Sequence, residues 1–248
     1  MESKIIGTTL PVVEIKLEAG ETIVSESGEL SWMSAAIGLQ TSTRAGAPSG
    51  TFGRLKRMVG GGGLFMTEYT AQGGPGIIAF ATKMPGQIFP VTVEPGRGYM
   101  AHRHGFLCAT PGIEVSVGFQ QSLGAGIFGG EGFLLQKIQG QAQAWIELDG
   151  EVVEYDLAPG ELLRVHPGHV GLFEESVSFN ITTVPGIKNK LFGGDGFFLA
   201  ALTGPGKVWL QSLPIPNLAH ALLPYLPQAQ SSSGGGGIGG MLGGILNQ

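Results

Sequence analysis

An all-β fold is what this sequence predicts, and three observations carry the prediction. Glycine is in large excess, 44 of 248 residues, where an ordinary domain has about 7%. The apolar residues fall in short or alternating runs that Gly and Pro interrupt at close spacing, the pattern of strands joined by turns. Charge is scarce, at 13% of the chain, about half the usual share, and mean hydropathy is +0.21. Disorder needs low hydrophobicity with high net charge and is excluded. Collagen is excluded because the glycines do not fall on every third position.

Turn signals sit at Gly73-Gly-Pro-Gly76 and Pro85-Gly86, each between apolar runs. Ala144-Trp-Ile-Glu-Leu148 and Glu151-Val-Val-Glu-Tyr155 flank Asp149-Gly150, which predicts a hairpin closed by a type I′ turn. Glu147, Glu151 and Glu154 around that turn read as a solvated face. No helical period longer than a turn or two occurs before Leu213.

Aligned on glycine, the chain repeats. Leu17-Glu-Ala-Gly20 corresponds to Val93-Glu-Pro-Gly96 and to Leu157-Ala-Pro-Gly160, at intervals of 76 and 64 residues. A second marker, Gly60-Gly-Gly-Gly-Leu64-Phe65, recurs as Gly129-Gly-Glu-Gly-Phe133-Leu134 and Gly193-Gly-Asp-Gly-Phe197-Phe198. The expectation is one all-β domain over 1–213, made of three pseudo-symmetric repeats at about 1–83, 84–150 and 151–213. Each repeat is a small antiparallel set that cannot bury its apolar face alone, and the three would pack about a pseudo-threefold axis. The Gly-Gly-x-Gly runs lack the Gly-Lys-Ser/Thr ending of a phosphate loop and lead into strands, so they read as corners or bulges.

Gly63-Leu-Phe-Met-Thr-Glu-Tyr-Thr-Ala71, after the basic stretch Gly53-Arg-Leu-Lys-Arg-Met-Val59, resembles the altered-inheritance-of-mitochondria family of the twenty-fourth type. The resemblance covers roughly residues 3 to 213. It implies a fold like that of the trp RNA-binding attenuation protein, related to double-stranded β-helices. It also implies association with inner-membrane organisation and respiratory-chain assembly in the mitochondrial members. It supplies no catalytic residues to carry over.

Net charge is −5, which argues against a nucleic-acid partner. The basic cluster Arg44, Arg54, Lys56 and Arg57 beside Phe52 reads as a solvated loop, with an RNA-binding ring as the third-ranked function. The single Cys108 fits a reducing compartment and, within Phe106-Leu-Cys-Ala109, a buried small hydrophobe. The opening residues carry neither the basic and apolar segments of a signal peptide nor an Arg-rich leader, so a cytoplasmic location is expected.

Four of the five histidines form two pairs, His102-Arg-His104 and His166-Pro-Gly-His169. His102 and His104 would share one face of a strand, and the run from Gly96 begins like the first metal motif of cupins. The cupin carboxylate is missing, since its positions hold Cys108 and Ala109. Six residues after the repeat glycines stand Glu26, His102 and His166, which at a common axis would make two histidines and a carboxylate for iron. A metal-dependent cupin-like enzyme using His102, His104 and His166 is therefore the alternative function, against the plainer reading of satisfied loop histidines.

From Val208 to Gln248 there is no Asp, Glu, Lys or Arg. Asn217 would cap a short helix over Leu218–Leu223, within a helical extension at 214–227. Residues 228–248, Gly/Ser-rich with a short apolar segment, are expected to be a flexible tail, where the uncharged C-terminus could touch a membrane surface peripherally. The leading expectation is a non-catalytic, oligomeric β-scaffold with no cofactor. Its partners are other copies of itself and a protein the sequence does not name.

Overall fold

The structure, a computed structural model, describes residues 1–42, 66–121, 132–183, 198–222 and 225. The chain is nearly all β, as expected. After β1 (Glu2–Ile6), residues 12–81 hold β2 (Val12–Leu17), β3 (Thr22–Glu26), β4 (Trp32–Met33), β5 (Ile37–Ser42), β6 (Met66–Ala71) and β7 (Gly76–Ala81). Residues 86–149 hold β8 (Gly86–Val93), β9 (Tyr99–His102), β10 (Phe106–Ala109), β11 (Ile113–Gln121), β12 (Phe133–Gly140) and β13 (Ala142–Asp149). Residues 152–211 hold β14 (Val152–Leu157), β15 (Leu162–Val165), β16 (Val170–Glu174), β17 (Ser178–Thr183), β18 (Phe198–Thr203) and β19 (Gly206–Gln211). A 3-10 turn at Pro167–His169 precedes β16.

Within each of these stretches the pairings are alike, and all are antiparallel. The first and third strands pair with the sixth, and the second and fourth pair with the fifth. Across stretches, β3 pairs with β10 and β9 with β16, again antiparallel. These two junctions build six-stranded sheets in the orders β5-β6-β3-β10-β13-β8 and β11-β12-β9-β16-β19-β14. The other described strands form β1-β2-β7-β4 and β15-β18-β17, whose edges β4 and β15 are not joined. Among the described strands, hydrogen-bonded pairing links the first stretch to the second and the second to the third.

Local chemistry explains the turns. Gly20, Gly96 and Gly160 have φ of 84°, 78° and 78°, the left-handed conformation that glycine adopts without strain. In two of these turns a carboxylate closes the loop, with Glu18 N–H donating to Glu21 and Ala158 N–H to Glu161, each at 2.8 Å. The second glycine marker lies largely within residues outside those described, as does the basic cluster at Arg44 to Arg57. Of that marker, Gly132 and the strand starts at Phe133 and Phe198 are described, so those two copies lead into strands.

Three apolar clusters form the core. One gathers Val13, Ile15, Leu17, Ile23, Tyr69, Ile78 and Phe80 with Leu107, Cys108 and Trp145 from the second stretch. Another fills the second stretch around Tyr99, Phe106, Ile138 and Ile146, with Val24 and Leu172 from either side. The last gathers Leu157, Phe173, Leu202 and Val208 with Phe133 and Leu135. Cys108 is fully buried, as its apolar run predicts, and burial pushes its thiol up.

Two local expectations fail. The strands flanking Asp149-Gly150 are not a hairpin: β13 pairs with β8 and β10, and β14 with β19. Of the two turn residues only Gly150 has positive φ, 78°, whereas a type I′ turn needs both. Asp149-Gly150 is instead the link between the second and third stretches, tied by Gly150 N–H to the Pro85 carbonyl. The helix, α1, spans Ile215–Leu222, so Asn217 lies inside it. Pro216 tolerates the first turn, where no N–H is required, and the Pro214 carbonyl accepts from Asn217 and Leu218.

Candidate functional site

Charged and polar side chains gather where the first stretch meets the second. β3 ends at Glu26, and Glu29 follows in the next turn. The link from β7 to β8 carries Lys83, and β13 contributes Glu147 and Asp149, both buried. β13 runs between β10 and β8, so its side chains from Ala144 to Asp149 are all enclosed.

The bonds within the cluster are specific. Lys83 Nζ donates to Glu29 Oε1 at 2.5 Å, and Lys83 N–H donates to Glu147 Oε2 at 3.2 Å. Gln136 on β12 donates from Nε2 to Glu26 Oε1 at 2.5 Å, while its Oε1 accepts from Phe106 N–H at 3.1 Å. Glu29 Oε2 and Asp149 Oδ2 are buried, and no hydrogen bond reaches either.

Desolvation dominates the electrostatics. Burial, reinforced by the Glu29 charge, pushes Glu26 up to about 7 against the pull of Lys83, Gln136 and Arg103. Glu147 also rises to about 7, chiefly through burial, with Glu29 and Asp149 adding to it and Lys83 opposing. Asp149 rises to about 6 by burial, opposed by Lys83. Such a cluster takes up and releases protons near neutral pH.

Beside it opens a cavity of about 180 Å³ whose lining includes His102, Arg103, His104, Asp149, Gln211 and Ile215. His102 Nε2 donates to the Glu147 carbonyl at 2.9 Å, and burial pushes its imidazole down to about 4. Gln211 Oε1 accepts from Asp149 N–H at 3.0 Å, and its Nε2 donates to the Gly168 carbonyl at 3.2 Å. His169 Nδ1 donates to the Gln211 carbonyl at 2.8 Å.

The metal candidates are thus distributed. His102 and His104 both line the cavity, His102 with Nε2 engaged and His104 exposed. His166 precedes the 3-10 turn with its ring edge-on to His169, centroids 5.8 Å apart, and burial lowers its imidazole. Glu26 belongs to the acidic cluster and is not among the cavity-lining residues. Among the described residues, no group of three or more His, Cys, Asp or Glu could hold one ion.

Sequence reasoning missed Glu147, Asp149, Lys83, Gln136 and Gln211. Glu147 was expected on a solvated face because it borders a turn, and Asp149 was expected within the turn itself. The signal lay in the run itself: Ala144-Trp-Ile-Glu-Leu-Asp149 has no alternation at Trp145-Ile146, the mark of a strand buried on both faces.

No helix among the described residues is long and apolar enough to cross a membrane, which leaves strand-built crossings unaddressed. Comparison with curated proteins finds no match. An X-ray crystal structure of a Streptococcus pyogenes protein is similar in fold, with a TM-score of 0.71 at 22% identity, over 91% of this chain and 99% of that one. The model of the family described as mitochondrial biogenesis AIM24 matches residues 3–213. The chain belongs to that family.

Proposed function

We propose that the chain is a non-catalytic, oligomeric β-scaffold acting through protein contacts, built from three copies of one strand unit at residues 12–81, 86–149 and 152–211. One observation carries the scaffold reading. On β1-β2-β7-β4 the inner face buries Val13, Ile15, Ile78 and Phe80, while the outer face presents Ile6, Trp32 and Ile77 to solvent. Glu2, Lys4, Glu14 and Lys16 share that face, so it presents exposed apolar side chains among charged ones, the mixed composition of a non-obligate protein interface. The common pairing scheme supports the three-copy reading.

The test is affinity recovery from the source cell with the full chain and with an Ile6→Lys/Ile77→Lys variant. A discrete partner set lost with the variant supports the scaffold, and an identical set from both overturns this surface. Deletion of residues 229–248, followed by membrane fractionation, reads whether the uncharged C-terminus adds a peripheral membrane contact. Metal analysis of untagged protein addresses the alternative: stoichiometric metal bound through His102 and His104 would replace the non-catalytic reading with an enzymatic one.

A further inference from the structure

We propose that copies of this chain join head to tail, the β15 edge of one copy pairing antiparallel with the β4 edge of the next. This rests on the scaffold reading and names its partner as a second copy of the chain. The chain obeys one pairing rule twice. In each junction the second strand of one stretch meets the third strand of the next, β3 with β10 and β9 with β16.

The register is the same in both. Val24 and Met100, each four residues after its turn glycine, stand opposite Ala109 and Phe173. Ala109 and Phe173 in turn face Ala144 and Val208, equivalent positions on the last strands of their stretches. In the remaining pair, the residue four after Gly160 is Arg164, and the residue facing the equivalent Ile78 is Met33. The rule places Arg164 opposite Met33, and Val165 opposite Trp32 as Ala101 is opposite Leu172.

Exposure at these positions tracks whether a strand lies alongside. Ala109 and Phe173 are 0% and 1% exposed, whereas Met33 is 37% exposed. Cys108 and Leu172 are 0% and 1% exposed, whereas Trp32, at the same position, is 51% exposed. Leu162 on β15 is 47% exposed. Ser31 and Ser34 N–H groups donate to Ala79 and Ile77 carbonyls, so the extended segment runs beyond β4 on both sides. The unpaired edge from Ser31 to Ser34 offers backbone groups that a strand of another chain can pair. A contact between two different surfaces propagates, closing into a ring if the rotation permits and growing into a filament otherwise.

The test mixes full-length Met33→Cys with full-length Arg164→Cys under mild oxidation, with sedimentation of the unmodified chain alongside. Opposed residues of antiparallel strands lie at the separation a disulfide spans, and native Cys108 is buried. A disulfide-linked dimer from this mixture, absent when Tyr155→Cys on β14 replaces Arg164→Cys, is the expected result. No cross-link, with a chain that sediments as a monomer at about 100 µM, overturns the proposal. A monomer whose Met33→Cys thiol resists labelling means that the chain's own residues cover the edge, and overturns it equally. A monomer that still recovers partners through Ile6 and Ile77 defeats this inference and the oligomeric part of the scaffold reading, and leaves its protein-contact part standing. An assembled chain that recovers none does the reverse.

Discussion

The two internal junctions share one topology and are filled in opposite ways. In the first, the link residue Lys83 donates its N–H to Glu147, a carboxyl held near 7 by burial. In the second, the equivalent link residue Asp149, whose carboxyl faces Glu147 and Lys83 of the first junction, donates its N–H to Gln211, a neutral amide. Around the first lie Glu26, Glu29 and Lys83. The second is packed by Phe119, Phe133, Phe173 and Phe179, with Phe173 and Phe179 stacked at 5.6 Å and 14°. The same backbone bond can thus be made by a group that titrates or by one that does not, so the difference between the junctions should be a difference in pH response.

The largest effect expected is at the apolar junction. Phe173→Ala removes a ring that is 1% exposed, and should cost about 4 kcal/mol. Chemical denaturation should give the same loss at pH 5 and pH 8, because no titrating group is touched. A loss that depends on pH would break the contrast.

At the charged junction the dependence is the point. Glu26, Glu147 and Asp149 are raised in the folded chain, so between their ordinary values and about 6 to 7 the folded state holds protons that the unfolded state has released. Their stabilisation is full below the ordinary carboxyl range and is lost as pH rises through 7. His102, lowered to about 4, acts oppositely, losing stability as pH falls from its ordinary range through 4. Three carboxyls outweigh one imidazole, so stability should fall by on the order of 2 kcal/mol from pH 5 to pH 8. Lys83→Met should therefore cost about 2 kcal/mol at pH 8, after discounting for the partial exposure of the ammonium, and about half that at pH 5. Equal costs at both pH values would mean that Lys83 serves only its bond to Glu29.

Why the sequence disclosed the turns and not the junctions is a matter of range. Gly20, Gly96 and Gly160 are visible because a positive φ is a local demand that one residue type meets. Cys108 is visible because its neighbours are all apolar. Asp149-Gly150 misled because a turn dipeptide describes its own backbone and says nothing of which strand lies alongside. β13 pairs with β8 from Ala142 opposite Val93 to Asp149 opposite Gly86, and its charged residues are buried by strands that adjacency in sequence does not reveal. Glu26 was singled out for a metal by its place in the repeat. Its partner, Gln136, lies 110 residues on, beyond the reach of any spacing argument.

The smallest effect isolates a single atom. Glu147→Gln keeps an oxygen to accept the Lys83 N–H and makes the first junction resemble the second, where Gln211 does that work. At pH 5 the carboxyl is already neutral, so the exchange should change stability little. At pH 8 it removes a buried charge that Glu29 and Asp149 repel, and should stabilise by about 1 kcal/mol, since Lys83 offsets part of the gain. The slope of stability against pH should flatten accordingly between pH 5 and 8. If the slope stays unchanged, the titration belongs to Glu26 and Asp149, and the contrast between the junctions lies in those residues rather than in the shared backbone bond.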